Sequence, residues 1–392
     1  MLLYIHVPFC RRKCAYCAFA STEVSEAGLR LYGERLFTEL AHWGDTLGRQ
    51  PVESIFIGGG TPSLLPPSFI KALLARIDQA FALARGLECS LECNPDSASQ
   101  AGYLQELRAT GVNRLSVGVQ SFRDETLKTL GRLHTGRQAI NTIQLARAAG
   151  FPNISLDLMW GVPGQRLKHW LHELKVATRL GADHISCYGL TLEPGTPLER
   201  CHRRREIELP DEDELARMFL YGAEYLDAEG YLQYEVSNFA RMGFICRHNS
   251  GYWEGVDYLG LGPSAVSTIG SQRWTNPAAV RSWAKVVAAG SLGRNPETLT
   301  VATRIREMVM LRLRTCRGMR LKAYKLLTGH DFLSEHARLI PALRQNDLIR
   351  IQRGYLRLTK TGMLVADTII ENLFRRDDET LVDTAGEGLP VK

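Results

Sequence analysis

The stretch YIHVPFCRRKCAYCAF, residues 4–19, joins a short apolar run to a loop that holds three cysteines. The run Leu2–Val7 predicts a β-strand, and Cys10, Cys14 and Cys17 follow it with the spacing C-x3-C-x2-C. Three thiolates can hold a four-iron cluster and leave its fourth iron open to a bound molecule. Zinc is the alternative, with His6 or a distant residue as the fourth ligand. The basic residues inside the loop favour thiolates and a cluster that accepts electrons.

The composition of the 392-residue chain excludes several classes of protein. Hydrophobic residues make up 45% and charged residues 23%, as in ordinary globular domains, which excludes a disordered or fibrous chain. The 48 basic and 42 acidic residues give a net charge of +6, too small for the continuous basic surface of a dedicated nucleic-acid binder. No apolar window of about 18 residues occurs, so we expect no transmembrane segment.

The cysteines and the N-terminus both indicate a cytoplasmic protein. The nine cysteines are odd in number and three of them crowd into the loop, which is typical of a metal site rather than a disulfide framework. The beginning of the chain, MLLYIHVPFC, lacks the basic region and the cleavage site of a signal peptide. We therefore expect a reducing compartment, the cytoplasm.

Six β-rich runs alternate with helical patterns in the first half of the chain. The predicted strands are Leu2–Val7, Ser54–Ile57, Leu87–Cys93, Leu115–Val119, Ile154–Met159 and His184–Tyr188. Strands separated by single helices form βαβ units and a parallel sheet. Six units in this length favour an α/β fold with a partial (βα)6 TIM-like barrel over a doubly wound sheet, although periodicity alone does not separate the two. In both folds the chemistry lies at the carboxyl ends of the strands, where most of the polar residues and glycines occur.

The pattern changes after the sixth strand and predicts further domains. We expect the barrel domain to cover residues 1–235 and a connecting region rich in glycine and aromatic residues to cover residues 236–298. Helical patterns followed by two short strands and another helix predict a mostly helical, winged-helix-like C-terminal domain over residues 299–374. The tail, residues 375–392, has the composition of a disordered segment.

Seven motifs follow one another in an order that identifies a family. After the cysteine loop come GGGTPS (58–63), ECNPDS (92–97), GVQSF (118–122), GRLHT (131–135), DLMWGVPGQ (157–165) and YGLTLEPGTPL (188–198). Together they resemble the oxygen-independent coproporphyrinogen III dehydrogenase family of radical S-adenosylmethionine (SAM) enzymes. The resemblance implies a radical SAM barrel. It also implies that Cys10, Cys14 and Cys17 hold a 4Fe-4S cluster whose open iron chelates SAM.

The resemblance also implies two sets of cofactor contacts. The contacts to a first SAM are Tyr4, Tyr16, Gly59, Gly60 and Thr61. The contacts to a second SAM are Gln120, Arg132 and Asp157. Glu92 closes an apolar run, where an unpaired carboxylate is costly, and a ribose hydroxyl, a cationic ligand or a salt bridge would relieve that cost. Arg132 also fits a solvated charge at a helix end.

Two departures from the dehydrogenases of this family favour its branch of heme chaperones. The dehydrogenases carry a cysteine two residues after the third ligand, where this chain has Phe19, and a longer segment before the loop, where this chain has nine residues. Residues 247–253, RHNSGYW, match the HNxxYW motif of the chaperone branch. The implied heme contacts are His248, Asn249, Tyr252 and Trp253. A neutral imidazole is a standard heme ligand. The neighbouring Cys246 is a second candidate, and a buried His-Asn pair under a packed aromatic turn is the structural alternative.

The resemblance implies a heme chaperone that keeps a radical SAM barrel, its cluster and an exchangeable SAM. The implied partners are heme, unidentified heme-acceptor proteins with membrane-associated ones among the candidates, and an electron donor for the cluster. The alternative is a dehydrogenase that decarboxylates porphyrinogen propionates, and Phe19 and the short N-terminus speak against this activity. We expect no nucleic-acid partner.

Overall fold

The computed structural model describes residues 1–99 and 102–374, which form two compact units divided between Arg304 and Ile305. The strands of the first unit are β1 Leu2–Val7, β2 Phe9–Cys10, β3 Thr22–Glu23, β4 Pro51–Gly59, β5 Ala82–Cys93, β6 Arg114–Gln120, β7 Asn153–Trp160, β8 His184–Gly189, β9 Leu232–Gln233, β10 Asn238–Ala240, β11 Tyr258–Leu261, β12 Val266–Ile269, β13 Gln272–Thr275 and β14 Glu297–Thr298.

Helices cover the strands and connect them. They are α1 Glu26–Leu47, α2 Pro67–Ala80, α3 Pro95–Ala98, α4 Tyr103–Ala109, α5 Asp124–Leu130, α6 Gly136–Ala148, α7 Leu167–Arg179, α8 Pro197–Arg203, α9 Glu212–Ala228, α10 Arg247–Glu254 and α11 Val280–Ala288, and a 3-10 helix spans Pro62–Leu64. Helix α12, Val301–Leu313, crosses the division between the units.

Six parallel strands in the order β1-β4-β5-β6-β7-β8 form the centre of the sheet, as the sequence predicts. Each pairs with the next in parallel, for example Leu2 with Ser54 and Leu91 with Leu115. This arrangement confirms the partial (βα)6 barrel. The parallel order places all six carboxyl ends at one edge, which is where the motifs of the sequence lie.

The region predicted to connect two domains instead extends this sheet. Strand β11 pairs in parallel with the free side of β1, with Leu2 opposite Tyr258. Strands β12, β13 and β14 continue the sheet, each antiparallel to the strand before it, and β10 adds to β8 at the other side. Residues 236–298 therefore belong to the same sheet as residues 1–235. The predicted boundaries themselves remain predictions.

The two faces of the central strands differ in chemistry because side chains alternate along a strand. Ile55, Ile57 and their counterparts on the other strands are fully buried under the helices. The alternate positions carry polar residues that bond to one another inside the barrel. Ser155 Oγ lies 2.8 Å from His184 Nδ1, and Ser116 Oγ lies 3.1 Å from Asp157 Oδ1. The interior of the barrel is thus polar, and its helix-covered face forms the core.

The second unit has the order predicted for the C-terminal domain. Its elements are β15 Met319–Arg320, α13 Leu321–Thr328, α14 Phe332–Glu335, α15 Leu339–Gln345, β16 Ile349–Gln352, β17 Tyr355–Leu358, α16 Lys360–Leu364 and α17 Ala366–Phe374. Strands β15, β17 and β16 form a small antiparallel sheet, which confirms a mostly helical, winged-helix-like fold. The predicted disordered tail, residues 375–392, lies outside the described residues. Among the described helices, none is long and apolar enough to span a membrane.

Candidate cluster and cofactor site

A cavity of about 480 Å³ opens at the carboxyl edge of the parallel strands. The predicted site residues on its wall are Cys10, Cys14, Tyr16, Cys17, Gly59, Gly60, Thr61, Glu92, Gln120, Arg132 and Asp157. They come from β4, β5, β6 and β7 or the loops that follow these strands, and from the loop after β1. The structure thus brings together, in one cavity, the cluster ligands and nearly all of the SAM contacts that the sequence predicts.

The three cysteines are half-buried free thiols on this wall. Thr61 Oγ1 donates to Cys10 Sγ over 3.7 Å, and Arg132 Nη1 donates to Cys14 Sγ over 3.5 Å. Donors aimed at sulfur stabilise thiolates and tune a cluster that thiolates hold. The donor set and its surroundings therefore fit a 4Fe-4S cluster.

The zinc alternative finds less support at His6. Tyr4 Oη lies 3.0 Å from His6 Nδ1, and the carbonyl of Ala20 lies 3.0 Å from His6 Nε2, so both ring nitrogens already have partners. Among residues 1–99 and 102–374, no three His, Cys, Asp or Glu side chains are arranged to hold a single metal ion. A cluster makes a different demand, since each of its cysteines binds a different iron.

The glycine run at the end of β4 lies against the loop that carries Cys10. A Cβ on Gly60 would lie 2.5 Å from the carbonyl oxygen of Phe9 and 2.9 Å from that of Val7, so only glycine fits there. Gly59 has φ 111°, a conformation that favours glycine, and its N–H donates to Glu92 Oε2 over 2.9 Å. The run therefore packs two strand ends together and leaves backbone on the cavity wall.

Two acidic side chains, Glu92 and Asp157, lie on the cavity wall, and neither has an ion-pair partner there among the residues that the structure describes. Burial, and next the charge of Asp157, raise the pKa of Glu92 to about 8. Burial also raises the pKa of Asp157, while hydrogen bonds from Ser186 and Ser116 oppose that rise. Both carboxylates would gain from a cationic ligand or from hydroxyl donors. The sulfonium, the ammonium group and the ribose of SAM offer these, so the residues present fit this cofactor.

Arg132 is held inside the site and is not a solvated charge. Besides Cys14, its guanidinium donates to Asn94 Oδ1 over 2.7 Å and to the carbonyl of Gly118 over 2.6 Å. Asn94 in turn donates to Thr61 Oγ1 over 3.0 Å. One network thus connects the ends of β4, β5 and β6 to a cysteine of the loop.

A local break in β6 turns Gln120 towards the cavity. The register of β6 against β7 shifts between Val117 and Gln120, and Gln120 has φ 62°, which is unfavourable for a residue other than glycine. His134, 3% exposed, fixes the preceding residue, because its Nε2 lies 3.0 Å from the carbonyl oxygen of Val119. Backbone strain of this kind is common at ligand sites.

Tyr4 is the predicted SAM contact that the cavity does not include. Its hydroxyl is bonded to His6, and its ring stacks on Phe56 with 6.3 Å between centroids. The ring centroid of His248 lies 6.5 Å away. Tyr4 therefore belongs to the barrel interior beside the HNxxYW motif.

The HNxxYW motif forms helix α10, which the sequence pattern does not reveal. Glu88 on β5 accepts hydrogen bonds from the N–H groups of Arg247 and His248 over 3.0 Å each, and so caps the first turn of the helix. Cys246 precedes the helix, is 2% exposed, and donates to Glu88 Oε1 over 3.4 Å. Burial raises the pKa of this thiol to about 11, which disfavours the thiolate.

The polar atoms of the motif are occupied by protein partners. His248 is 2% exposed, with Nδ1 2.8 Å from Ser54 Oγ and Nε2 3.1 Å from Tyr252 Oη. Asn249 Nδ2 donates to Tyr234 Oη over 3.1 Å and to Glu235 Oε1 over 3.2 Å. Within the motif, the indole N–H of Trp253 is the exception, since it is buried without a hydrogen-bond partner. The described arrangement thus resembles the structural alternative, a buried His-Asn pair under aromatic residues.

Several wall residues were absent from the predicted set. Asn94, Ser116 and Tyr188 line the cavity with their side chains, and Phe19 does so while 67% exposed. Asn94 and Tyr188 follow or end predicted strands, so their position at the carboxyl edge is a signal that could have identified them. Ser116 lies inside a strand run, and only the structure shows that its hydroxyl bonds to Asp157.

Comparisons with known proteins agree with this architecture. The Radical SAM superfamily matches residues 4–177, and the HemN C-terminal domain matches residues 299–365. The solved structure of coproporphyrinogen III oxidase (HemN) from Escherichia coli superposes with a TM-score of 0.80 at 24% identity, over 95% of this chain and 89% of that one. The fold and these matches define the class: a radical SAM protein with a HemN-type C-terminal domain.

Two relatives give the family within this class. The heme chaperone HemW of Bacillus subtilis is 34% identical over 368 residues, which are 93% of this chain and 97% of the relative. The heme chaperone HemW of Escherichia coli is 40% identical over 264 residues, 67% of this chain and 68% of the relative. The chain belongs to the HemW family of radical SAM proteins.

Proposed function

We propose that this protein is a cytoplasmic heme chaperone that binds heme and passes it to acceptor proteins. The observation that carries the proposal is the 34% identity to the Bacillus subtilis heme chaperone over 93% of the chain. Phe19, where the dehydrogenases of the wider family carry cysteine, supports the chaperone over the dehydrogenase. The proposed acceptors are proteins that take up heme, and membrane-associated proteins are among the candidates.

In this proposal the cavity is the resident cofactor site. Cys10, Cys14 and Cys17 would hold a 4Fe-4S cluster, which would supply one-electron chemistry towards the sulfonium of bound SAM. Arg132 stabilises the thiolate of Cys14 through its hydrogen bond, and the hydroxyl of Thr61 does the same for Cys10.

The remaining cavity residues bind and orient SAM. Gly59, Gly60 and Thr61 present backbone and a hydroxyl to a first SAM, with Tyr16 and Glu92 on the same wall. A second SAM is the ligand proposed for Gln120, Arg132 and Asp157. The two carboxylates, Glu92 and Asp157, bind cationic or hydroxyl groups of the ligand.

Heme contact at the HNxxYW motif requires a change of partners. His248 can bind iron only if Nε2 leaves Tyr252 or Nδ1 leaves Ser54. Exchange of the Tyr252 bond for iron keeps the bond to Ser54, which would orient the imidazole as partners of metal-bound histidines do. We propose this exchange as the step that admits heme, with Asn249 and Trp253 beside it.

The test separates the chaperone from its alternatives with one preparation. The protein is reconstituted anaerobically with iron and sulfide, and then receives heme in one sample and coproporphyrinogen III with SAM and a reductant in another. We expect an iron-sulfur absorbance, stoichiometric heme binding and no porphyrinogen turnover. Turnover would establish the dehydrogenase instead, and a colourless preparation that contains zinc and no iron would overturn both.

A further inference from the structure

Basic residues are concentrated in two segments that adjoin the cluster loop. Seven of the ten residues at positions 11–13 and 200–206 are arginine or lysine, in a chain whose net charge is +6. The first segment lies inside the cysteine loop, and the second begins within α8. We call residues 11–13 and 200–205 the basic rim.

A backbone hydrogen bond joins the cysteine loop to the start of α8, the two elements that carry the rim. The N–H of Leu198, at the start of α8, donates to the carbonyl of Ala15 over 2.9 Å. The loop before α8 also lines the cavity through Thr191 and Glu193, and Arg200 holds that loop by donating to the carbonyl of Gly195 over 2.6 Å. The rim therefore flanks the cavity at the side where the cysteines lie.

The charges of the rim face solvent, and ion pairs with Asp96, Glu199 and Glu206 neutralise only part of them. The side chains of Arg203 and Arg204 are 76% and 70% exposed. Arg203 pairs with Glu199 over 2.5 Å, and Arg204 lies 3.8 Å from Glu206. Exposed pairs of this kind contribute little to stability. Arg203 and Arg204 thus add positive charge to the surface more than they stabilise the fold.

We infer that the basic rim is the docking surface for an acidic one-electron donor protein of the ferredoxin type. A positive rim raises the rate at which a negatively charged partner arrives. Positive charge by itself would attract any polyanion and does not select a partner. This surface, however, lies on the segments next to Cys14 and Cys17. A partner bound here comes close to the thiols that would hold the cluster, which is what electron transfer needs and what a lipid surface or a nucleic acid does not use.

The redox step is simple in its balance. The reduced iron-sulfur centre of the donor loses one electron, the 4Fe-4S cluster of this chain gains it, and no bond forms or breaks. Plant-type ferredoxins have reduction potentials near about −400 mV, which makes them a suitable probe class. The inference rests on the proposed function only for the presence of the cluster, and not for heme binding.

The experiment compares two triple variants with equal changes of charge. R203Q/R204Q/R205Q neutralises the rim, and R344Q/R350Q/R353Q removes three exposed arginines of the second unit. The control is matched in detail. Arg350 lies 3.6 Å from Asp347 as Arg204 does from Glu206 at 3.8 Å, and Arg353 and Arg205 have φ 53° and 58°.

Reduction of the cluster is followed anaerobically by loss of its visible absorbance, with reduced plant-type ferredoxin as donor. At about 0.01 M ionic strength, where charges act over roughly 30 Å, we expect the rim variant to react about tenfold more slowly than the parent and the control variant. Photoreduced deazaflavin, a small reductant, should reduce all three proteins at equal rates. Affinity for ferredoxin, measured by calorimetry, should fall in the rim variant only.

Two kinds of result overturn the inference. Equal ferredoxin rates in all three proteins, or a parent rate that does not fall on raising the ionic strength to about 0.15 M, exclude docking by charge. Binding of the parent to vesicles with anionic lipid but not to ferredoxin assigns the rim to a membrane surface. A chain that shows the expected ferredoxin rates but binds no heme refutes the chaperone and leaves this inference standing, so the two failures are distinguishable.

Discussion

The cavity at the strand ends and the HNxxYW helix illustrate two states in which a polar group can exist inside a protein. In the cavity, Glu92 and Asp157 share a wall with half-buried thiols and lack a full set of partners. In α10, both nitrogens of His248 and the amide of Asn249 are bonded to neighbouring side chains. The cavity is prepared for a ligand, while the helix is already satisfied and must give up a bond to accept one. Four experiments can break or sharpen this comparison.

The largest effect is expected at the cluster ligands. Cys14→Ala removes one of three thiolates and the sulfur that Arg132 contacts, so we expect reconstituted protein to lose nearly all of its iron-sulfur absorbance and bound sulfide. Cys201→Ala, on α8, is the matched control and should keep the full iron content. A Cys14→Ala protein with parental iron would show that the cavity is not the cluster site.

Removal of His248 should destabilise the fold rather than merely weaken ligand binding. His248→Ala leaves a buried gap and strands Ser54 Oγ and Tyr252 Oη, so we expect the free energy of unfolding to fall by about 2–5 kcal/mol in urea titrations. His172→Ala, at an exposed position of α7, should change it by less than about 0.5 kcal/mol. A His248→Ala protein of parental stability would show that α10 is not held by these bonds.

Acid should weaken the same helix. Burial, and then the charge of Arg114, lower the pKa of His248 to about 3 from 6.5. Its contribution to stability is complete above pH 6.5 and is lost as the pH falls towards 3, by about 1.4 kcal/mol per pH unit. Between about pH 7 and about pH 5, unfolding titrations should therefore show a smaller loss of unfolding free energy in His248→Gln than in the parent. The loss in His172→Gln should equal that of the parent. Equal slopes in all three proteins would contradict a buried neutral imidazole.

The smallest change isolates the bond that heme must replace. Tyr252→Phe removes only the hydroxyl at His248 Nε2, so we expect a loss of about 1 kcal/mol in stability. If His248 binds iron by this nitrogen, the variant should bind heme more tightly than the parent in spectroscopic titrations. Weaker or equal heme affinity would move the heme site away from Nε2.

The sequence predicts the central sheet well because its signal is local. The central strands read as short β-rich runs separated by helical patterns, and parallel strands must end at one edge, so Glu92 and Asp157 could be placed at one edge of the sheet before the structure was known. The family motifs added Arg132, whose role as a network residue no spacing reveals.

Other features depend on contacts between distant parts of the chain. Helix α10 is short and rich in polar residues, and it is capped by Glu88, about 160 residues earlier. Strand β11, residues 258–261, pairs with β1, residues 2–7, which is far earlier in the sequence. Tyr4 packs on Phe56 of β4 and lies outside the cavity, a contact that the motif containing Tyr4 does not predict. Pairings of this range leave no periodic signal in the sequence.

The pairing of β1 between β4 and β11 also has a consequence for folding during translation. β1 gains its first neighbour once residues 51–59 are made, but its second only when residue 261 has been added. At about 5–20 residues per second, translation leaves that side of β1 bare for roughly 10 to 40 seconds. During this interval the cysteine loop follows an edge strand, because β1 still lacks its second neighbour, β11. Loading of iron into a finished site is therefore a late event, which follows the completion of the barrel.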